Sequence, residues 1–152
     1  MSEMPNVGDR APEIEAETYE GEKLRLSDFR GKKTVALYFY PKDDTPGCTK
    51  EACSMRDGIG ELQEIGVQVL GVSTDSVKSH ESFRDKYDLN FPLLSDKDKS
   101  IIKAYGVESE RGSAKRVTFL IDKSGIIRHI WHKVDTASHA DEVKEKVKEL
   151  SL

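Results

Sequence analysis

Two cysteines, Cys48 and Cys53, stand five residues apart in Pro41-Lys42-Asp43-Asp44-Thr45-Pro46-Gly47-Cys48-Thr49-Lys50-Glu51-Ala52-Cys53, and the chain has no others. Thr45-Pro46 has the form of a helix N-cap followed by proline at the first helical position. Cys48 then takes the third helical position, where a capping box places an acidic side chain. Free backbone N–H groups and the positive end of the helix dipole favour a thiolate over a thiol there. The Thr45 hydroxyl is expected near that sulfur. The chemistry implied is nucleophilic, with Cys48 as the attacking group.

A helical wheel gives the two cysteines different surroundings. At about 100° per residue, Cys48, Ala52, Met55, Ile59 and Leu62 share one narrow stripe, which must face the core. Cys53 lies roughly 140° from Cys48, among Asp57, Gly60 and Glu64 on the polar side. A free cysteine is normally among the most buried residues, so this placement suggests a redox partner. Residues i and i+5 of a regular helix have Cα atoms about 8.7 Å apart, whereas a disulfide tolerates about 7 Å. The two can therefore join only if the first turns of the helix unwind. Three other readings stand beside this one: a core cysteine with a chance surface neighbour, a zinc site, and dithiol exchange. Two cysteines without a nearby histidine supply too few zinc ligands, so no metal or other cofactor is expected. Dithiol exchange normally uses Cys-x-x-Cys rather than the spacing found here.

The flanking segments define what must position these residues. Thr34 to Tyr40 and Val67 to Ser73 are near-continuous apolar runs of the kind buried on both sheet faces. A helical pattern from Pro46 to Ile65 lies between them, making a βαβ crossover. Ile14–Thr18 and Glu22–Leu26 read as an N-terminal β-hairpin around Tyr19-Glu20-Gly21, followed by a helical turn capped by Ser27. Further helices are expected over 76–88, capped by Ser76 or Asp75, near Ser100–Ala104, and over Ser138–Leu150. Val117–Ile121 and Ile126–Val134 form a closing hairpin around Asp122-Lys123-Ser124-Gly125. This order predicts an α/β thioredoxin-like fold: a mixed central sheet flanked by helices, with the N-terminal hairpin, in a single domain over 1–152.

Composition removes several classes of function. The 152 residues carry 24 Lys+Arg and 28 Asp+Glu, a net charge of −4, so no basic footprint for nucleic acid or an anionic membrane exists. No apolar run approaches the ~18 residues of a membrane span. Met1-Ser2-Glu3-Met4-Pro5-Asn6 lacks the marks of a signal peptide. The expectation is a cytoplasmic protein, in a compartment where a cysteine pair is more often catalytic than structural. His80, His129, His132 and His139 are scattered along the chain, and Trp131 is read as packing.

Pro41-x-x-x-Thr45-x-x-Cys48 resembles the active-site signature of the peroxiredoxins position by position. Asp44 to Cys53 is similar to the bacterioferritin-comigratory, or Q-type, branch, which can carry its resolving cysteine five residues after the peroxidatic one. Gly71-Val72-Ser73-Thr74-Asp75, Phe91 to Asp96 and Arg116 to Asp122 extend the likeness over nearly the whole chain. The resemblance implies a peroxidase acting on hydrogen peroxide and alkyl hydroperoxides. Cys48 would become a sulfenic acid, and Cys53 would resolve it to an intramolecular disulfide. A thioredoxin-like or glutaredoxin-like donor would then reduce that disulfide. Thr45 would hydrogen-bond the peroxide and Pro41 would shield the pocket. The Gly47 and Cys48 N–H groups would complete the donor set. Arg116 would favour the Cys48 thiolate and stabilise charge on the leaving oxygen. Glu51 would orient the arginine; because exposed helical glutamates are common, it is not counted among the site residues. The branch also implies a monomer, with a weak dimer as the other state. The loop 108–115 departs from relatives in lacking an aromatic residue. A dithiol oxidoreductase without peroxidase activity and a redox-sensing, partner-binding protein remain the alternatives, since neither needs Thr45 or Arg116.

Overall fold

The computed structural model describes residues 3–18 and 21–152. The N-terminal hairpin forms from β1 (Glu15–Thr18) and β2 (Lys23–Arg25), paired antiparallel; Tyr19 and Glu20 of its expected turn lie outside the described residues. The helical turn that follows, Leu26–Phe29, is 3-10. Ser27 lies inside it and does not cap it. The Asp28 carboxylate instead accepts from the Arg25 N–H at 3.0 Å, while the Ser27 N–H is taken by Glu13.

The remaining elements are β3 (Thr34–Phe39), α1 (Pro46–Glu64), β4 (Val67–Ser73), α2 (Val77–Tyr87) and β5 (Leu93–Ser95). They continue with α3 (Ser100–Ala104), β6 (Val117–Ile121), β7 (Ile127–Trp131) and α4 (His139–Glu149). The strands make one mixed sheet in the order β2-β1-β5-β4-β3-β6-β7. β3, β4 and β5 run parallel, joined by helical crossovers, and β6 returns antiparallel against β3. This is the thioredoxin-like arrangement the element order predicts.

β5 is a strand the sequence pattern does not announce, because three residues are too few to show a period. It pairs with β4 and β1 and so ties the N-terminal hairpin to the sheet. β7 ends at Trp131 rather than Val134, since Trp131 pairs with Thr118 and the partner strand runs out one residue later.

Alternation along β3 separates two apolar clusters. Val35, Leu37 and Phe39 pack with Ile101, Ile102, Tyr105 and Phe119 on one face. Ala36, Tyr38 and Tyr40 pack with Met55, Leu62, Phe83, Val143 and Val147 of α1, α2 and α4 on the other. α1 and α4 approach closely because Gly58 faces Ala140; a Cβ at Gly58 would stand 2.6 Å from the Ala140 Cβ. That contact brings the first turn of α4, with His139, against the middle of α1.

Candidate active site

Cys48 lies in the first turn of α1 and is 1% exposed, on the stripe with Ala52, Met55 and Leu62. Proline opens the helix, and its first backbone bond runs from the Thr49 N–H to the Thr45 carbonyl at 2.8 Å. The Gly47 and Cys48 N–H groups precede that bond and have no intrahelical acceptor. Thr45 has the extended backbone of an N-cap, but its side chain makes no capping bond. The hydroxyl turns back and donates to the Lys42 carbonyl at 3.0 Å. This corrects the expected cap: the hydroxyl closes the Lys42–Thr45 turn and leaves the helix amides uncapped by side chains. Pro41 is half-buried at the start of the same loop.

Arg116, just before β6, reaches this helix start. Its Nη2 donates to Cys48 Sγ at 3.2 Å and its Nη1 to Glu51 Oε1 at 2.6 Å. Gly47 makes room for the guanidinium, since a Cβ there would lie 3.0 Å from Nη2. The 108–115 loop delivers Arg116 in a fixed direction. Glu108 bridges to Ala114, and the Ser109 N–H donates to the Ser113 carbonyl at 2.7 Å.

Glu51, not counted among the site residues on sequence, meets the arginine and is not an exposed helical glutamate. It is fully buried, and burial pushes its carboxyl up to about 7 against the opposing pull of Arg116. The signal was its position, three residues after Cys48 and so on nearly the same helix face. Behind it lies His139, also fully buried, with Nε2 3.9 Å from Glu51 Oε2. Cys53 is half-buried and unbonded to Cys48, which stays apart on the core side.

The loop carrying Pro41 and Thr45 is held from below. The Tyr40 hydroxyl donates to Asp43 Oδ1 at 2.6 Å, and the Ser79 hydroxyl to Oδ2 at 2.8 Å. His80 bridges Asp43 Oδ2 at 2.7 Å and the Leu94 carbonyl at 3.0 Å. The Asp43 N–H donates to Asp75, which also accepts from Ser73. Asp43, Asp75 and His80 bring possible ligand atoms within 4.8 Å of one another; each is already engaged by protein groups, so the trio reads as a structural lock. Asp44, with φ of +58°, accepts from Lys86 Nζ and the Tyr87 hydroxyl. Arg56, farther along α1, donates to the Tyr87 carbonyl at 2.6 Å. His80 and His139 are thus buried and bonded, a role their scatter in sequence does not reveal.

A thioredoxin-like fold carrying a buried cysteine at a helix start, held by an arginine, defines the class: a thiol peroxidase. The AhpC/TSA family pattern matches residues 7–130, and the chain belongs to that family, in its bacterioferritin-comigratory, Q-type peroxiredoxin branch. The putative peroxiredoxin Bcp of Coxiella burnetii is 51% identical over 144 residues, covering 90% of this chain and 95% of its own. The structure of a cysteine-to-serine mutant of Xylella fastidiosa PrxQ superposes with a TM-score of 0.91 at 36% identity, covering 100% of both chains. The Xanthomonas campestris bacterioferritin comigratory protein, described for its alkyl peroxide reduction activity, gives 0.85 at 33% identity, covering 100% of this chain and 99% of that one. Among the described residues, no helix is long and apolar enough to cross a membrane.

Proposed function

We propose that Cys48 is the peroxidatic nucleophile and Cys53 the resolving thiol, working within one domain that spans the chain. The observation that carries this reading is the Arg116 Nη2 to Cys48 Sγ contact of 3.2 Å at the uncapped start of α1. The thiolate attacks the terminal peroxide oxygen. An S–O bond forms, the O–O bond breaks, and the alkoxide or hydroxide leaves and takes up a proton. Thr45 already donates its hydroxyl hydrogen to Lys42, so its lone pairs are free to accept from the peroxide O–H. Arg116 and the Gly47 and Cys48 N–H groups face the charge that develops on the oxygens. Pro41 borders the approach and limits water.

Cys53 then displaces water from the Cys48 sulfenic acid, forming the intramolecular disulfide. A thioredoxin-like or glutaredoxin-like dithiol reduces it by exchange. Hydrogen peroxide and alkyl hydroperoxides are the substrate class, and the cytoplasm, which keeps thiols reduced, is the setting. Both sulfurs come from one chain, so a monomer suffices.

The test is peroxide-dependent oxidation of thioredoxin with intact-mass analysis. Catalytic turnover with loss of two hydrogens from the protein supports the assignment. Disulfide exchange without peroxide consumption would instead favour a plain dithiol oxidoreductase, and stoichiometric oxidation without turnover a sensor.

A further inference from the structure

A chain of buried polar groups runs from the Cys48 sulfur to the surface of α4. Arg116 links Cys48 to Glu51 Oε1. Glu51 Oε2 is buried and has no hydrogen-bond partner. It lies 3.9 Å from His139 Nε2, which is 2.8 Å from the Thr118 hydroxyl. On its other side, His139 Nδ1 donates to Glu142 Oε1 at 2.9 Å, and the Glu142 side chain is 32% exposed. We propose that His139 is a positioning residue of the peroxidatic centre, setting through Glu51 how firmly Arg116 holds the Cys48 sulfur. This role rests on the assignment of Cys48 as nucleophile.

Glu142 takes the Nδ1–H, so Nε2 is the variable position. With Nε2 bare, the Thr118 hydroxyl donates to it and Glu51 Oε2 has no donor. A fully buried carboxylate avoids that cost by holding a proton itself. With Nε2 protonated, its N–H faces Thr118 Oγ1 and Glu51 Oε2, and Glu51 is ionised. One proton therefore serves two places. When it sits on Glu51, the Arg116 charge is left for the sulfur. When Glu51 is ionised, the carboxylate takes a share of that charge. Burial raises Glu51 to about 7 and lowers His139, and both shifts favour the neutral arrangement.

The groups that face the pair are Arg116 before β6, Cys48 on α1, Tyr38 on β3, Glu142 on α4 and Asp135 ahead of α4. The Tyr38 hydroxyl is buried and, like Glu51 Oε2, has no hydrogen-bond partner. Trp131 stands edge-on to His139 at 5.4 Å and to His129 at 4.6 Å.

Two measurements on the reduced full chain decide the matter. Histidine ring resonances are titrated by NMR in the parent protein and in Glu51→Gln, with His139 assigned by its loss in His139→Gln. In the parent the His139 resonances are expected to show a further inflection near 7 as Glu51 ionises beside the ring, and Glu51→Gln, which has no charge to gain, should lack it. Stopped-flow oxidation of Cys48 by hydrogen peroxide is then followed from about pH 5 to pH 9. His139→Gln keeps an amide for Thr118 and Glu142 but carries no titrating proton. Its rate–pH curve should lose or displace the inflection expected near neutrality in the parent. A His139 titration curve with the same inflections in Glu51→Gln as in the parent, or superimposable rate–pH curves, would overturn the role. If His139→Gln does not fold, the Glu51→Gln titration alone decides, with the resonance assigned from backbone correlations. Absence of peroxide consumption by the parent would overturn the Cys48 assignment instead, so the two failures are distinct.

Discussion

Glu51 and Cys48, one helical turn apart on α1, share a single guanidinium: Arg116 gives Nη1 to the carboxylate and Nη2 to the sulfur. A carboxylate and a thiolate side by side would repel each other in a buried site. The planar fork between them bonds the sulfur and one carboxyl oxygen and fixes the direction of its own charge.

Arg116→Lys keeps the charge but cannot bond both partners in one plane. The rate constant for peroxide should fall by about 10²-fold, read by stopped-flow. A rate within a factor of two of the parent would show that only net charge matters.

The cysteine roles are separable. Cys48→Ser should abolish turnover. Cys53→Ser should complete one turnover and stop at a sulfenic acid that a dimedone-type probe captures. An intramolecular disulfide in that variant is impossible, because no third cysteine exists.

Oxidation should cost helical order. Hydrogen exchange across residues 46–53 is expected to lose protection in the disulfide form and regain it on reduction, because intact α1 keeps the two Cα atoms too far apart. Equal protection in both forms would contradict this.

Stability should carry the mark of Glu51. Burial pushes its carboxyl up to about 7 in the folded protein, against 4.5 for an ordinary glutamate. Between those values the folded state binds more protons than the unfolded one, so this group's contribution is complete below about 4.5 and is lost as pH rises through about 7. Glu51→Gln should lack that slope. Urea unfolding across this range should show the stability of the parent, relative to the variant, declining with pH.

The lock under the active-site loop is also testable. Asp43→Ala leaves Tyr40, Ser79 and His80 without their buried acceptor. A loss of about 2–4 kcal/mol is expected in chemical denaturation. Peroxide reactivity should fall with it, since Thr45 rides on the same loop.

Much of this architecture is legible in the chain. The runs 34–39, 67–73 and 117–121 announce themselves because both faces of each strand are buried. The start of α1 is marked by Pro46, and the cap of α2 by Ser76, which accepts from Ser79. What stays hidden depends on distant partners. Nothing local separates Glu51 from a surface glutamate, and its choice between the two roles is settled only by Arg116, 65 positions away. His139 gains meaning only through the Gly58–Ala140 contact that seats α4. The Thr45 hydroxyl defeats its sequence reading because a rotamer chooses between Lys42 and the helix amides, and residue type does not make that choice.

The end of α2 fixes both ends of the segment that holds the cysteines. Lys86 and Tyr87 grip Asp44, and the Tyr87 carbonyl grips Arg56. Everything between is a tether with both ends moored to one post. While those bonds persist, rearrangement there cannot let the ends drift. The loop-closure entropy is already spent before reduction begins. α1 therefore rewinds from an anchored stub rather than nucleating afresh, so each catalytic cycle can return to the same starting geometry.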